Sequence, residues 1–314
     1  MSARPRCLLL GGAGFMGTHL AQALSGSHSV RILDRPASIR RLRELRPAEF
    51  ESVEGDLCND KDVAEAMRGC EIVFHLVSTT LPKSSNDNPA YDVETNVIGT
   101  LRVLESARRS GVRMILFPSS GGTVYGIPRS VPIAESHPTE PTCSYGIAKL
   151  AIEKYLQLYR QLHGLDYRIL RIANPYGEHQ RTTANQGAVA VFLSQALSGE
   201  PVEIWGDGSV VRDFLYMGDV CSAFLGAMAY RGEERVFNIG GGQGHSLNEL
   251  LDEIERVVGR PVERRYSAVR EFDVPVNVLD ISRARRELAW QPMVDLREGL
   301  RRTCEWLRRA GTPY

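Results

Sequence analysis

The sequence lacks the features that mark secreted, membrane-spanning and metal-binding proteins. Its six cysteines are scattered, with no CxxC pair and no spacing typical of metal ligands. The first residues lack the charged and then apolar pattern of a signal peptide. The longest apolar runs are strand-length, well short of the roughly 20 residues that a membrane span needs. We therefore expect a reduced, cytoplasmic protein without a metal site.

The chain also carries no formal net charge. The chain has 38 Lys and Arg against 38 Asp and Glu, so its formal net charge is zero. This balance favours neither nucleic acid nor an anionic membrane as a partner. The Arg-rich stretches 40–46 and 297–309 are interleaved with Glu and Leu at helical spacing, which indicates solvated helix faces. What the chain does have is 314 residues, 43% of them hydrophobic, enough to bury a large core.

A glycine-rich turn follows the first predicted strand. Residues 7–10 form a short apolar run, typical of a strand buried on both faces of a parallel sheet, and residues 18–24 indicate a helix. The stretch GGAGFMG lies between them. Strand, glycine turn and helix in this order indicate a dinucleotide-binding βαβ unit, in which a pyrophosphate meets the helix N-terminus. The candidate cofactor-binding residues here are Gly11, Gly14, Phe15, Met16 and Gly17.

The second predicted strand, residues 29–33, ends at an acidic residue. Asp34 follows Gly14 by twenty residues, where a carboxylate accepts hydrogen bonds from an adenosine ribose and repels a 2′-phosphate. NAD is therefore favoured over NADP, with the neighbouring Arg35 as the opposing signal.

Strands and helices continue to alternate, which predicts an α/β protein with a doubly wound parallel sheet. Strands are predicted at 50–54, 72–76, 113–118 and 167–172, and helices at 61–68, 91–110 and 144–163, with a loop at 78–89. The carboxyl ends of parallel strands meet at one edge of the sheet, where ligands bind. Further candidates for cofactor contacts there are Asp56, Leu57, Leu76, Val77, Ser78 and Asn96. His75 lies inside an apolar strand and is interpreted as a core residue.

The sequence YGIAK stands at the head of the predicted helix 144–163. Residues four apart share one helix face, so Tyr145 and Lys149 point the same way. A phenol with a pKa near 10 is a poor base at neutral pH, and a neighbouring cation lowers that pKa. We therefore expect Tyr145 to act as general acid and base with Lys149 as its electrostatic partner. Hydroxyls that follow the strand 113–118 are candidate partners of a substrate hydroxyl: Ser119, Ser120 and Thr123.

The second half of the chain carries its candidate residues in loops. Helices are predicted at 186–197, 219–230 and 247–258, and strands at 202–205 and 237–240. Arg212 and Arg270 are candidate phosphate clamps, with a surface salt bridge as the competing interpretation of each.

Taken together, several motifs resemble the extended short-chain dehydrogenases/reductases, in the nucleotide-sugar epimerase/dehydratase branch and its UDP-glucose 4-epimerase-like members. They are GGAGFMG, Asp34, GDL at 55–57, SSGGTVYG, YGIAK, NPYG, RDF and REFDVP, and they span nearly the whole chain. The resemblance implies a Rossmann domain, residues 1–173, that holds NAD. It also implies a smaller C-terminal α/β lobe, mainly residues 174–314, that binds a UDP-sugar, with some segments returning to the first domain. A homodimer formed by the helices 91–110 and 144–163 is implied too.

The resemblance assigns roles residue by residue. Tyr145 becomes the base, Lys149 its partner and a ribose ligand, and Ser119 and Tyr176 join the cofactor contacts. Asn174 would lie near the diphosphate, and Asp273 would reach the uridine ribose or brace Arg270. The implied substrate contacts are Thr79, Thr123, Asn174, Arg181, Gln186, Val189, Trp205, Arg212, Arg270, Asp273 and Asn277.

The chain departs from the family pattern at two neighbouring positions. Gly121 stands where the epimerases usually carry a catalytic hydroxyl, so that role falls to Thr123 first and Ser120 second. Gly122 and Thr123 stand where the dehydratases of this branch carry Asp and Glu, which argues against water loss.

The resemblance implies an NAD-dependent enzyme that inverts carbon 4 of a UDP-hexose, UDP-glucose or UDP-galactose, through a 4-keto intermediate. Asn277, in place of a bulky Tyr, leaves room for an N-acetyl group, so UDP-GlcNAc and UDP-GalNAc are rivals. Arg181 can pair with the carboxylate of UDP-glucuronate. A net NAD-dependent dehydrogenase or reductase is the remaining alternative.

Overall fold

The computed structural model describes residues 4–45, 50–181, 187–268 and 274–310. Within these ranges the strands are β1 (Arg6–Leu10), β2 (Ser29–Asp34), β3 (Glu51–Glu54), β4 (Ile72–His75), β5 (Met114–Ser120), β6 (Asp166–Ile172), β7 (Asn174–Tyr176), β8 (Val202–Trp205), β9 (Val211–Tyr216), β10 (Val236–Ile239), β11 (Gly244–Ser246), β12 (Arg264–Ser267) and β13 (Val276–Asn277). The helices are α1 (Phe15–Leu24), α2 (Pro36–Leu45), α3 (Asp60–Met67), α4 (Pro82–Asp87), α5 (Pro89–Asp92), α6 (Gly99–Arg109), α7 (Ser144–His163), α8 (Ala188–Ser198), α9 (Met217–Ala229), α10 (Leu247–Val258), α11 (Ser282–Leu288) and α12 (Leu296–Ala310). A π-helical segment, Val93–Ile98, joins α5 to α6.

The chain forms two compact units that are interleaved in sequence. The first unit comprises residues 1–124, 141–170 and 227–236, and the second comprises residues 125–140, 171–226 and 237–314. The principal change of unit falls inside β6, and the chain returns twice.

The first unit contains β1 to β5 and most of β6, which belong to a sheet with the strand order β10-β6-β5-β4-β1-β2-β3. Strands β1 to β5 pair in parallel, which requires the helical crossovers that the alternating sequence predicts. Residues 7–10 are fully buried because helices cover both faces of the sheet, as the apolar run CLLL indicates. The predicted Rossmann, doubly wound α/β class is confirmed.

The order of strands reverses between β1 and β4, and two loops meet at this point. A side chain built on Gly11 would have its Cβ 3.0 Å from Val77 Cγ2 and 3.2 Å from the Val77 nitrogen, and Gly11 has a φ of +77°. The glycine turn after β1 therefore lies directly against the residues that follow β4. This is the crevice in which open α/β sheets bind their ligands.

Helix α7 has the bounds that the sequence predicts, Ser144–His163, and Gly164 ends it in the left-handed conformation with a φ of 71°. Near its start the helix lies close to the turn after β5. A Cβ on Gly146 would be 2.9 Å from the Thr123 carbonyl oxygen and 2.9 Å from Pro141 Cβ. Only glycine allows this approach without a shift of the backbone.

Three segments differ from the sequence prediction. The stretch 78–89 was predicted as a loop, but it contains α4 and the start of α5, each begun by a proline at a first helical position. Strand β5 continues through Ser119 and Ser120, two residues beyond the predicted end. The predicted helix 91–110 begins at Pro89 and widens into a π-helical turn around Asn96.

The second unit contains two small sheets and a separate core. Strand β9 pairs in parallel with β7 and β13 and antiparallel with β11, and β8 pairs in parallel with β12. Helices α8, α10 and α12 contribute to one buried cluster. Helix α10 begins with a capping box formed by Ser246 and Glu249. No helix within the described ranges is long and apolar enough to cross a bilayer.

The glycine turn makes a direct prediction about stability. A Cβ on Gly17 would lie 2.4 Å from the Cα of Gly12, so Gly17→Ala should overpack α1 against the turn and cost about 1–3 kcal/mol. Thermal and urea denaturation measure this loss. Gly26→Ala is the matched control, because nothing lies within 4 Å of its Cβ position. Equal stability of the two variants would contradict the close approach.

Candidate active site

The N-terminus of α1 is built to receive an anion. Gly14 is its N-cap and supplies no side chain, and the first turn contains no acidic residue. The Gly14 amide donates to the Gly11 carbonyl, and the Thr18 amide donates to the Gly14 carbonyl. The amides of Phe15, Met16 and Gly17 begin the helix, and the positive end of the helix dipole lies there. The absence of side chains at the glycines leaves the backbone accessible to a pyrophosphate.

Asp34 closes the same turn from the end of β2. Its carboxylate accepts hydrogen bonds from the Ala13 amide, at 3.0 Å, and from the Arg35 amide, at 2.8 Å. The predicted acidic residue therefore lies beside the glycine turn, while the Arg35 side chain is exposed. Farther along this edge, Asp56 is exposed after β3 and accepts from the Cys58 amide, and Leu57 packs partly buried on the core. The donors, acceptors and open backbone at this edge suit NAD.

Tyr145 and Lys149 lie one turn apart on α7, as predicted. The Lys149 ammonium is 5.5 Å from the centre of the Tyr145 ring and 4.6 Å from the centre of the Phe117 ring. It donates to the Pro118 carbonyl at 3.0 Å, which fixes its direction. The Tyr145 phenol is hydrogen-bonded to the hydroxyl of Ser78, which follows β4.

The pKa of Tyr145 differs from the sequence expectation. Burial raises the pKa of Tyr145 to about 12, the charges of Cys143 and Asp92 add to the increase, and the Ser78 hydrogen bond opposes it. The expected lowering by Lys149 is absent in the chain alone, because desolvation dominates and the ammonium is directed to the Pro118 carbonyl. Burial also lowers the pKa of Lys149 to about 8, against the charges of Asp92 and Glu153.

The three hydroxyls after β5 have different environments. Ser119 is buried and donates to Glu153 on α7 at 2.5 Å, so its hydroxyl is directed into the protein. Ser120 is half-buried at the end of the strand. The Thr123 hydroxyl oxygen is buried, and among the described residues no hydrogen-bond partner reaches it.

The π-helical turn places Asn96 against the segment that follows β4. Its side-chain oxygen accepts from the Thr79 amide at 3.0 Å, and its amide group donates to the Thr79 and Thr80 hydroxyls. It also donates to Asp92, a fully buried carboxylate, at 2.8 Å. Asn96 therefore braces the residues that directly follow β4. Asp92 was not singled out from the sequence, which carries no local signal for its burial.

Helix α4 holds the first turn of α7. The Asn86 side-chain oxygen accepts from the Ser144 amide, and the Ser85 hydroxyl accepts from the Tyr145 amide, both at 3.0 Å. These amides have no partner within α7 itself. The segment predicted as a loop is therefore the N-terminal cap of the helix that carries Tyr145.

His75 is a core residue, as interpreted from the sequence. It is 2% exposed, and its Nε2 is hydrogen-bonded to the Thr100 hydroxyl at 2.8 Å. Burial lowers the pKa of His75 to about 3, with the Lys149 charge as a second cause. The ring is therefore neutral at physiological pH.

In the second unit, Asn174 and Arg212 lie on adjacent strands, β7 and β9. The Asn174 amide group donates to the Asp213 carbonyl at 3.1 Å. The Arg212 guanidinium donates to the Val211 carbonyl and to the Val274 carbonyl, at 2.9 and 2.6 Å. Asn277 is buried on β13, directly opposite Arg212 in the sheet register, and Trp205 ends β8 with 38% of its surface exposed.

Two residues that are predicted to contact a ligand have side chains that are buried in the core of the second unit. Tyr176 was expected to touch the cofactor, but it is 2% exposed in the core of the second unit and donates to the Leu296 carbonyl. Val189 was expected to touch the substrate, but it is 1% exposed in the same core, on the buried face of α8. Apolar packing within the second unit holds both side chains.

Four other predicted substrate residues lie beside or outside the described ranges. Arg181 is exposed directly before the segment 182–186. Gln186, Arg270 and Asp273 lie outside the described residues. No cluster of three or more potential metal ligands occurs in the described part of the chain.

Comparison with known proteins gives a family match and similar structures. A sequence model of the NAD dependent epimerase/dehydratase family matches residues 7–240. The chain is 39% identical to a UDP-glucose 4-epimerase of Mycolicibacterium smegmatis, over 96% of this chain and 98% of that protein. It is similar to the crystal structure of a Thermotoga maritima UDP-glucose 4-epimerase with UDP-glucose, with a TM-score of 0.90, 35% identity and coverage of 97% and 99%. A Thermus thermophilus UDP-glucose 4-epimerase in complex with NAD gives a TM-score of 0.90, 34% identity and coverage of 98% and 100%.

A family match over most of the chain, together with relatives above 30% identity along nearly its full length, defines the class. The protein belongs to the NAD-dependent epimerase/dehydratase family.

Asp213, next to Arg212, predicts a pH-dependent stability of the second unit. Its buried carboxylate accepts from the amides of Gly241, Gly242 and Leu279. Burial raises the pKa of Asp213 from 3.8 to about 6, and the three amides oppose this. The folded protein therefore binds a proton here more tightly than the unfolded chain. The resulting contribution to stability is complete below about pH 4 and is lost as the pH rises through about 6.

Asp213→Asn does not titrate, so it isolates this contribution. The unfolding free energy of the wild type minus that of Asp213→Asn should fall by about 3 kcal/mol between about pH 4 and pH 7. Urea denaturation across this range measures the difference. A difference that is independent of pH would contradict the raised pKa.

Proposed function

We propose that this protein is an NAD-dependent 4-epimerase of UDP-hexoses that interconverts UDP-glucose and UDP-galactose. One observation carries the proposal: Tyr145, hydrogen-bonded to Ser78 and one turn from Lys149, stands in the unit that also contains the glycine turn and Asp34. The names of the relatives, UDP-glucose 4-epimerases with NAD or UDP-glucose in their structures, support the same reaction.

The residues that would hold NAD are those of the ligand crevice. The α1 N-terminus and its glycines would receive the pyrophosphate, Asp34 would accept from a ribose, and Lys149 would donate to the second ribose. When bound, NAD+ would supply a hydride acceptor that returns the hydride in the same turnover.

Tyr145 moves the proton. It accepts the proton of the sugar 4-hydroxyl as carbon 4 is oxidised to the ketone, and returns it when carbon 4 is reduced from the other face. A phenol with a pKa of about 12 is protonated at neutral pH, so it must be made more acidic before it can act as a base. A positive charge close to the phenol oxygen would have this effect, since it favours the phenolate.

In this proposal, residues of β7 and β9 bind the nucleotide part of the substrate. Arg212 and Asn174, on adjacent strands, would hold the diphosphate of the UDP group, while the sugar turns over without leaving the site. A grip on the nucleotide rather than on the sugar allows either face of the 4-keto sugar to meet the hydride.

An N-acetylated substrate is the second candidate. Asn277 lies opposite Arg212 in the β13–β9 register and has a short side chain, so UDP-GlcNAc and UDP-GalNAc remain the rivals that this position favours. UDP-glucuronate would instead rely on the exposed Arg181. A net dehydrogenase or reductase lacks a specific observation in its favour.

We also propose that two copies of the chain form a homodimer through the helices of residues 91–110 and 144–163. Large apolar side chains are exposed there on both elements: Tyr91, Val93, Ile98, Ile147, Leu158 and Leu162. Burial of such side chains favours association. A cytoplasmic location and a role in polysaccharide biosynthesis belong to the same proposal, the former because all six cysteines are free thiols.

The decisive experiment incubates the purified protein with UDP-glucose and no added cofactor. UDP-galactose should form, and ultraviolet absorbance should show a bound dinucleotide that is not consumed. Stoichiometric release of NADH into solution would refute the epimerase and favour the dehydrogenase. UDP-GlcNAc and UDP-glucuronate, assayed in parallel, decide between the sugars by their kcat/KM.

Tyr145→Phe tests the proposed base. The variant keeps the ring and loses only the hydroxyl, so the fold and the bound NAD should be retained while kcat falls about 100- to 10,000-fold. Circular dichroism and the dinucleotide absorbance serve as controls for folding and binding. A wild-type rate would remove Tyr145 from the mechanism.

Thr123→Val tests the substitute for the hydroxyl that Gly121 lacks. Valine has nearly the shape of threonine, so a loss of about 100-fold in kcat is expected if the buried Thr123 hydroxyl donates to the reacting oxygen. Thr123→Ser should retain most of the activity, and Ser120→Ala should have the smaller effect. A larger loss of kcat in Ser120→Ala than in Thr123→Val would assign the hydroxyl's role to Ser120.

A further inference from the structure

Asp92 is a charged side chain that the reaction described above does not use. It ends α5, is 0% exposed and has hydrogen bonds to both oxygens. Oδ1 accepts from the Thr80 hydroxyl at 2.5 Å and from the Asn96 amide group at 2.8 Å, and Oδ2 accepts from the Ser144 hydroxyl at 2.7 Å. A buried carboxylate is costly unless it is hydrogen-bonded, and here three neutral groups satisfy it.

The three donors come from three different segments of the first unit. Thr80 lies in the stretch that follows β4, Asn96 in the π-helical turn, and Ser144 is the first residue of α7. Tyr145 is the next residue, and its phenol is hydrogen-bonded to Ser78 in the same stretch as Thr80. Asp92 therefore connects both segments that contact Tyr145, the one that holds its backbone and the one that holds its hydroxyl.

We propose that Asp92 is a positioning residue for the proposed epimerisation: its carboxylate ties residues 78–80 to the first turn of α7 and places a fixed negative charge beside Tyr145 and Lys149. The proposal rests on the proposed function for its kinetic consequence. The hydrogen bonds and the charge are properties of the chain itself.

The charge acts on both members of the pair in the same direction. Burial is the main cause of the raised pKa of Tyr145, and the Asp92 charge adds to it. Burial lowers the pKa of Lys149, and the charges of Asp92 and Glu153 oppose this. The ionisable groups that face the pair from the elements packed against it are Asp92, Cys143, Glu153 and His75. The Asp92 charge thus favours the protonated forms of both Tyr145 and Lys149.

This arrangement has a use in a reversible reaction. In the first half of the turnover Tyr145 must take a proton from a sugar hydroxyl, which is a very weak acid. A nearby negative charge raises the affinity of the phenolate for a proton and therefore favours this step. The ammonium beside it is retained by the same charge.

Asp92→Asn separates the charge from the geometry. The amide oxygen can still accept from Thr80 and Asn96, and the amide nitrogen can donate to the Ser144 hydroxyl, so the tie is preserved. Without the charge, both Tyr145 and Lys149 lose their protons at lower pH. The pH–rate profile of kcat, normalised to its own maximum, should therefore shift to lower pH on both limbs. A role confined to packing would leave the normalised profile in place.

Asp87→Asn is the matched control. Asp87 ends α4 on the same stretch of chain, and its side chain is exposed. This variant removes one carboxylate charge without touching Asp92 or its donors, so its profile should coincide with that of the wild type.

Asp92→Ala removes the tie as well as the charge. The Thr80, Asn96 and Ser144 donors lose their acceptor. Amide hydrogen exchange over 78–80 and 144–146 should be faster than in Asp92→Asn, and kcat should be lower. Equal exchange and equal kcat in the two variants would refute the tie.

A measurement without substrate separates this proposal from the proposed function. The protein is labelled with fluorotyrosine, and the Tyr145 resonance is identified as the one of eleven that Tyr145→Phe lacks. Its titration by ¹⁹F NMR should have a lower midpoint in Asp92→Asn than in the wild type and Asp87→Asn. Identical midpoints would overturn the electrostatic role of Asp92. If no UDP-sugar is turned over at all, the proposed function fails, and the NMR and exchange results still decide the role of Asp92.

Discussion

The close approach of α7 to the turn after β5 is the constraint on which the site depends. Gly146 permits it, because any Cβ there would meet the Thr123 carbonyl and Pro141. Lys149 is buried and Tyr145 half-buried in this part of the unit, and desolvation is the largest cause of both pKa changes. The helix thus makes the phenol less acidic and the ammonium more acidic than in water. The charges placed around the pair then decide where its protons reside.

These charges come from elements that have no obvious part in chemistry. Glu153 stands one turn after Lys149 and accepts from Ser119, and Asp92 reaches the start of α7 from another helix. Both are buried and hydrogen-bonded by neutral groups. Helix α4 completes the arrangement, since Ser85 and Asn86 satisfy the first amides of α7. Several contacts from the stretch that follows β4 therefore fix the position of Tyr145.

The sequence predicts those parts of the fold whose signals are local. Helix α7 has a continuous amphipathic pattern and a glycine at its end, and its bounds agree with the prediction. Asp34 and the glycine turn are recognisable because their spacing follows from one βαβ unit. Asp92 is missed because an aspartate on a helix is ordinarily exposed, and only tertiary contacts bury it. The burial of the Tyr176 and Val189 side chains is not predicted, because sequence position gives the strand or helix but not the face that packing turns inward.

The contacts of Asp34 have a consequence for ligand capacity. An ionised carboxylate offers about four lone-pair sites, and the amides of Ala13 and Arg35 occupy two of them. Two acceptor sites are left, which matches the two adjacent hydroxyls of a sugar diol. The two amides already fix the rotation of the Asp34 carboxylate. Binding of a diol there would therefore cost little further side-chain entropy at Asp34.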